Sequence, residues 1–361
     1  MKYAVIFSSG TGGHVYPALR LAEDLIKEKY KIIWVGTVNG LENTVVKNDS
    51  ISIKHISATG FRGKKLLTKF MSIFLLFKSI YESYKILKNI KPDIVIGFGG
   101  YVSISGALVS FLLRIPHVIH EQNAIAGSAN HLSFYFANRV YETFPGSFAK
   151  FNNKIIHTGN LVRNKFLNCK NPEEIYSENS FHLKILVLGG SQGSSFINKT
   201  LPFAISHFPK DIVEVKHISG VGKSENIQEK YDSYGISAKV IEYSDDINKL
   251  FDWSSLIVCR AGSTTISELA SIGRACILIP FPNATDNHQL KNAEYLSDNS
   301  AAITLQQTDD FIENFVTTTN FLILKHERLY SLAQNIKKIF PKNASFMIIE
   351  DIKKIISKNE N

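Results

Sequence analysis

Twice in this chain an apolar strand-like run breaks at a glycine-rich turn and leads into a helix-like stretch. Tyr3 to Phe7 runs into Ser9-Gly10-Thr11-Gly12-Gly13-His14, and Ile185 to Leu188 runs into Gly189-Gly190-Ser191-Gln192-Gly193. A residue without Cβ turns tightly and lets backbone N–H groups approach a phosphate, with the positive end of the next helix behind them. One such turn in each half predicts two nucleotide-fold halves facing each other. The other apolar runs agree. Candidate strands are Lys31 to Val35, Ile94 to Gly97, His117 to His120 and Arg139 to Tyr141 in the first half, with Val213 to His217, Lys239 to Glu242, Leu256 to Cys259 and Ala275 to Ile279 in the second. Helical patterns such as Pro17 to Lys29 alternate with them, so the expected class is α/β with parallel sheets.

At 361 residues the chain exceeds the roughly 250 to 300 at which a single core stops growing, so two domains are expected. Apolar periodicity lapses between Gly159 and Phe181, which divides the chain into 1–160 and 161–342. The stretch from about 343 to 361 is helical again and is expected to pack back onto the first domain. Cys169, Cys259 and Cys276 are odd in number and lack metal or CxxC spacing, which fits a reducing compartment. The N-terminus carries no signal-peptide pattern, and the densest apolar run, Ile73 to Phe77, is far short of the ~20 residues of a membrane span.

Net charge is +9, and much of it is local: Phe61 to Lys91 holds eight basic residues and a single acid, Glu82. Lys64, Lys65 and Lys69 are interleaved there with Phe70, Phe74, Leu75 and Phe77. Either these lysines line the solvent face of a buried helix, or the segment docks on anionic lipid. The width of the apolar side favours docking.

The first turn is not the GxGxxG dinucleotide pattern, and Ile32 to Gly36 puts no acid at the end of the second strand, so a nicotinamide enzyme is disfavoured. Spacing alone leaves a plain strand-to-helix turn equally open. In Cys259-Arg260-Ala261-Gly262-Ser263-Thr264-Thr265-Ile266-Ser267-Glu268 there are two readings. Thr265 and Glu268 stand in the relation of a capping box. Alternatively, Gly262 to Thr265 cradle a diphosphate while Glu268 takes two ribose hydroxyls, which the second glycine turn in the same half favours. Gly99-Gly100-Tyr101 and His120-Glu121-Gln122-Asn123 follow further strands, where parallel sheets bind ligands.

Together these segments, with Gly159-Asn160-Leu161-Val162-Arg163 and His288-Gln289-Leu290-Lys291-Asn292-Ala293, resemble the MurG family of bacterial glycosyltransferases over nearly the whole chain and in the family's order. The chain departs from the family at Ser9, where a further glycine is common, and at Leu161, where proline is usual. The resemblance implies a GT-B architecture, two Rossmann-like domains with parallel sheets facing a central cleft. It implies inverting transfer of N-acetylglucosamine from UDP-N-acetylglucosamine to the C4 hydroxyl of N-acetylmuramyl-pentapeptide on undecaprenyl diphosphate, in peptidoglycan synthesis. It places the protein peripherally on the cytoplasmic face of the bacterial inner membrane, with an anionic membrane surface and no nucleic acid among its partners.

Carried over by residue, Ser191 and the run Gly262, Ser263, Thr264, Thr265, Ile266 and Ser267 hold the donor diphosphate, and Glu268 the ribose. Backbone near Ser244 meets uracil, Gln289 the sugar hydroxyls, and Arg163 the phosphate charge. Thr11, Gly12, Gly13 and Asn123 complete the donor site. Gly99, Gly100, Tyr101 and Gln122 lie on the acceptor side. His14 is the expected general base and Glu121 the alternative. No two aspartates are separated by one residue, so no metal or other cofactor is expected. Three other functions share features with this one: a UDP-sugar:diacylglycerol glycosyltransferase, a UDP-N-acetylglucosamine epimerase on the same fold, and a membrane-associated nucleotide-binding module.

Overall fold

The computed structural model describes residues 2–58, 66–149, 152–177, 182–190 and 193–360, and of 66–73 and 360 the backbone alone. The chain forms two compact units, Met1–Arg163 with Pro341–Asn361, and Asn164–Phe340.

The strands of the first unit are β1 (Tyr3–Phe7), β2 (Lys31–Gly36), β3 (Ile51–His55), β4 (Ile94–Gly97), β5 (His117–Glu121), β6 (Arg139–Glu142) and β7 (Ile155–His157). Its helices are α1 (Gly12–Lys27), α2 (Glu42–Val45), α3 (Leu66–Ile90), α4 (Gly100–Leu112) and α5 (Ser128–Phe134). All strands are parallel, in the order β3-β2-β1-β4-β5-β6-β7. Strands β3 and β7 are additions to the sequence reading.

In the second unit the strands are β8 (Leu183–Leu188), β9 (Val213–Ile218), β10 (Ala238–Ile241), β11 (Leu256–Cys259), β12 (Cys276–Leu278) and β13 (Ile303–Thr304). They too are parallel, ordered β10-β9-β8-β11-β12-β13. The helices between and beyond them are α6 (Pro172–Tyr176), α7 (Ser195–Ile205), α8 (Ser224–Ser233), α9 (Ile247–Trp253), α10 (Ser263–Ile272), α11 (His288–Asp298), α12 (Phe311–Leu324) and α13 (Glu327–Lys338). The last helix, α14 (Ala344–Glu360), belongs to the first unit.

Parallel strands covered on both faces must be apolar throughout rather than alternating. β1 shows why. Its period of two sends Ala4 and Ile6 into a core with Val15 and Leu21 of α1 and Ile348 and Ile352 of α14, while Val5 and Phe7 enter a second core with Leu87, Val102 and Val109 of α3 and α4. α14 is also fastened by polar contacts: Ser345 Oγ donates to Asp24 at 2.5 Å, and Asp351 accepts from Arg139 at 2.9 Å and from the Tyr141 hydroxyl at 3.0 Å.

Candidate functional site

In each unit the chain winds outward in both directions from its first strand, so a crevice opens at the carboxyl ends of two neighbouring strands: β1 and β4 in the first, β8 and β11 in the second. Ligands of doubly wound sheets bind at such switch points. All the glycine motifs fall there.

In the first unit, the Gly10–His14 turn leaves β1 and the Gly99–Tyr101 turn leaves β4. Thr11 is the N-cap of α1 and Gly99 the N-cap of α4, and neither helix start has a side-chain cap. Gly99 sits at φ +93°, and a Cβ there would stand 3.1 Å from Nε2 of His14 and 3.6 Å from Nδ2 of Asn130. His14, Gly99 and Asn130 therefore meet at one point. Gly12, Gly13, His14, Gly100, Tyr101 and Asn123 are part-exposed and Thr11 is exposed. Arg163 is stacked over Tyr16, 4.7 Å from its ring centroid, an arrangement that uses the guanidinium face rather than its N–H donors. Leu161, in place of the usual proline, is a core residue, which anchors the backbone two residues before that arginine.

Two expectations change at β5. Glu121 is 2% exposed, and its carboxylate accepts from Asn123 N at 2.9 Å, Gly127 N at 3.0 Å, Asn130 Nδ2 at 2.8 Å and Asn123 Nδ2 at 3.3 Å. Burial raises its pKa and those N–H groups oppose the rise. A carboxylate so enclosed holds the 121–127 loop in shape and is poorly placed to receive a substrate proton. Gln122, expected on the acceptor side, is 1% exposed, and its Nε2 donates to Phe98 O at 3.2 Å and His120 O at 3.0 Å. It braces the loop after β4 against β5 from inside. His120 is equally enclosed, its Nε2 3.2 Å from Gly159 O and its pKa pushed down to about 4 by burial.

In the second unit, Ser191 lies outside the described residues. The end of its turn is described: Gly193 has φ +72°, and a Cβ there would lie 2.0 Å from Ser219 O, so only glycine fits. That carbonyl also accepts from Asn198 Nδ2 at 2.9 Å, Asn198 Oδ1 lies 3.1 Å from His217 Nε2, and His217 Nδ1 lies 3.1 Å from the Tyr231 hydroxyl. A buried polar chain thus supports the turn. Ser194 caps α7 by accepting from Ile197 N at 3.3 Å.

Helix α10 begins at Ser263 with Gly262 as its N-cap and no side-chain cap, so Thr265 is inside the helix and the capping-box reading is not realised. Gly262, Thr264 and Thr265 are part-exposed, and Thr264 Oγ1 is buried without a hydrogen-bond partner among the described residues. Unpaired N–H groups at such a start, with the helix dipole behind them, suit an anion. Ser263 and Glu268 are buried. Ile266 and Ser267, expected as donor contacts, are spent elsewhere. Ile266 is a core residue whose N–H donates to Gly262 O at 3.0 Å, and Ser267 Oγ donates to Ser263 O at 2.7 Å.

Gln289, part-exposed at the start of α11, accepts from Phe281 N at 3.0 Å, and Asn292 of the same helix donates to Ala261 O at 3.1 Å. Ser244 is part-exposed in the loop after β10. Arg260, absent from the expected site, joins three loops: its guanidinium donates to Ile279 O at 3.1 Å, Pro280 O at 3.3 Å and Ser194 Oγ at 2.6 Å. Its place directly after β11 was the available signal.

Lys64 and Lys65 lie outside the described residues, as do the side chains of Lys69 and Phe70. Farther along α3, Phe74 is 65% and Phe77 67% exposed, Leu75 is part-buried, and Phe111 and Leu112 of the adjoining α4 are exposed as well. Among the described residues no helix is long and apolar enough to cross a membrane, and no three His, Cys, Asp or Glu side chains form a metal-binding group.

Two parallel-sheet units of this winding, each with glycine turns at its switch point, are of the GT-B type, and the domain matches make the chain a glycosyltransferase of that fold. Residues 4–142 match the glycosyltransferase family 28 N-terminal domain and residues 184–346 its C-terminal domain. A protein of Pseudomonas savastanoi pv. phaseolicola named UDP-N-acetylglucosamine–N-acetylmuramyl-(pentapeptide) pyrophosphoryl-undecaprenol N-acetylglucosamine transferase is 38% identical over 346 residues, 96% of either chain. One of the same name from Coxiella burnetii is 36% identical over 355 residues, 98% of this chain and 99% of its own. The crystal structure of Acinetobacter baumannii MurG superposes with a TM-score of 0.85 at 32% identity, covering 98% of this chain and all of that one. The chain belongs to the MurG family.

Proposed function

We propose that this protein transfers N-acetylglucosamine from UDP-N-acetylglucosamine to the C4 hydroxyl of N-acetylmuramyl-pentapeptide on undecaprenyl diphosphate, with inversion. The observation that carries this reading is full-length identity of 36–38% to relatives that bear the transferase's name, which also favours it over a diacylglycerol acceptor or epimerisation. The chemistry asks for a base at the attacking hydroxyl and for relief of charge on the departing diphosphate. His14 takes the hydroxyl proton as the oxygen bonds to the anomeric carbon. The bond from that carbon to UDP breaks, and UDP leaves with the electron pair. Its charge is offset by the start of α10 at Gly262 to Thr265 and by Arg163, and no metal is needed. Glu268 binds the ribose, Gln289 the sugar, and the loop at Ser244 the uracil, while Ser191, Thr11, Gly12, Gly13 and Asn123 complete the donor contacts. Gly99, Gly100 and Tyr101 face the acceptor.

The acceptor is lipid-borne, so the enzyme works peripherally on the cytoplasmic face of the membrane. Exposed Phe74 and Phe77 on α3, with the basic segment before them, supply the docking surface. Purified protein incubated with UDP-[14C]-N-acetylglucosamine and the muramyl-pentapeptide lipid in vesicles should move label into the lipid fraction. No labelled lipid, with the donor intact and the protein folded, would overturn the assignment.

A further inference from the structure

Behind the turn that carries His14 lies a buried carboxylate that the proposed chemistry does not use. Glu42, the first residue of α2, is fully buried. The backbone is built to admit it: a Cβ at Gly36 would stand 2.2 Å from its Oε1, and one at Gly40 2.1 Å from the same atom. Oε1 accepts the Thr37 N–H at 2.7 Å, and Oε2 has no hydrogen-bond partner among the described residues. Enclosing a carboxylate with one oxygen unsatisfied is costly, and the single N–H that its other oxygen accepts offsets that cost only in part.

What Glu42 fixes is Thr37, and Thr37 reaches the first turn. The Thr37 and Ser9 hydroxyls are 2.7 Å apart, and Ser9 is 8% exposed. The residue before it is held too, since Ser8 O accepts from Trp34 Nε1 at 2.8 Å, and Gly100 leaves room beside Ser9 O, where a Cβ would stand only 3.3 Å away. The chain then enters Gly10 and swings to His14. We infer that Glu42, through Thr37 and Ser9, is a positioning residue that sets the exit angle of the His14 turn. The inference rests on His14 being the base.

The test uses Thr37→Val, Ser9→Ala and their double variant in the full-length protein, with Glu42→Leu and Glu42→Gln beside them and His14→Ala as reference. Thr37→Val and Ser9→Ala should each lower kcat about 10-fold, leave the KM for UDP-N-acetylglucosamine unchanged and shift the acid limb of the kcat/KM pH profile, and the double variant should be no worse than either single one. Glu42→Leu, which removes the acceptor of the Thr37 N–H, should lower kcat to the same extent, and Glu42→Gln, which keeps an oxygen for it, should retain most of kcat. Multiplicative losses in the double variant, or unchanged kcat in both single variants, would overturn the relay. If His14→Ala keeps full activity while the two hydroxyl variants still lose kcat together, bracing of the turn stands and the base assignment alone fails.

Discussion

Gly99 leaves His14 its room: a methyl group on Gly99 would stand 3.1 Å from Nε2 of the imidazole, with the glycine held at φ +93°. No other residue adopts that conformation without strain, roughly 1–3 kcal/mol, and none leaves the imidazole where it is. Gly99→Ala should therefore cut kcat about 10- to 100-fold while the KM for the donor changes little, and His14→Ala should cost the 10²- to 10⁴-fold typical of a lost general base. Steady-state kinetics on both variants check this. An alanine variant at position 99 that is folded and fully active would show that this room does not matter for the reaction.

Glu121 separates from His14 in the same assay. Its carboxylate collects N–H donors from Asn123, Gly127 and Asn130, and an amide in its place would point its own N–H groups at one of them. Glu121→Gln should lower stability by about 1–3 kcal/mol, the cost of buried polar groups left unpaired, and reduce kcat far less than His14→Ala does. Denaturant melts together with kcat decide it. A full melt with activity as low as that of His14→Ala would make Glu121 the base.

What the sequence discloses here depends on how many neighbours dictate a residue. β1, β4 and β11 are apolar from end to end, and β8 is apolar but for Lys184 near its start, because both faces are covered, so they read plainly. β3, β7 and β13 are short edge strands with partly exposed positions, and no apolar run marks them. The glycine turns were legible because close backbone approach leaves no alternative residue at Gly193. Side-chain direction was not. Gln122 looks like Asn123 in the sequence, yet one faces the interior and the other does not, and Arg260 reads as part of a glycine motif although its partners Ile279 and Pro280 lie on the next strand's exit.

Acid should weaken both units. Burial pushes His117 down to about 3 and His120 to about 4 in the first unit, and His217 to about 3 in the second. An unfolded histidine takes its proton near pH 6.5, so between there and pH 4 the unfolded state binds more protons and stability falls with pH. Above that window these groups are neutral in both states and contribute no slope. Thermal melts should show Tm level from pH 8 to 7 and dropping from about pH 6.5 downward. A Tm that holds or rises between pH 6.5 and 5 contradicts the three buried neutral imidazoles.

Phe74 and Phe77 expose 65% and 67% of their surface on α3. Fully burying a side chain of that size is worth roughly 1.5–3 kcal/mol, and each basic residue near anionic lipid adds about 1. Replacing both rings with serine should lower partition onto phosphatidylglycerol vesicles about 100-fold and leave binding of UDP-N-acetylglucosamine as it was. Raised salt should weaken the parent protein's binding too, through its lysines. Unchanged flotation of the double variant would remove α3 from the docking surface.

Arg260 is a fork that lysine cannot imitate. Two guanidinium nitrogens serve Ile279 O, Pro280 O and Ser194 Oγ, and the group lies 5.4 Å from the Phe281 ring centroid, so one side chain ties the exits of β8, β11 and β12 together. A single ammonium offers a point charge with no planar fork. In Arg260→Lys the turn before α7 and the loop leading to Gln289 lose their common anchor, and both belong to the proposed donor site. The donor's Kd should rise about 10-fold, the equivalent of ~1.4 kcal/mol, while the kcat at saturating donor falls less. Titration of UDP binding by calorimetry measures the first quantity and initial rates the second. If lysine at 260 binds UDP as tightly as the parent does, the three-way tie contributes nothing to the donor site and Arg260 serves packing alone.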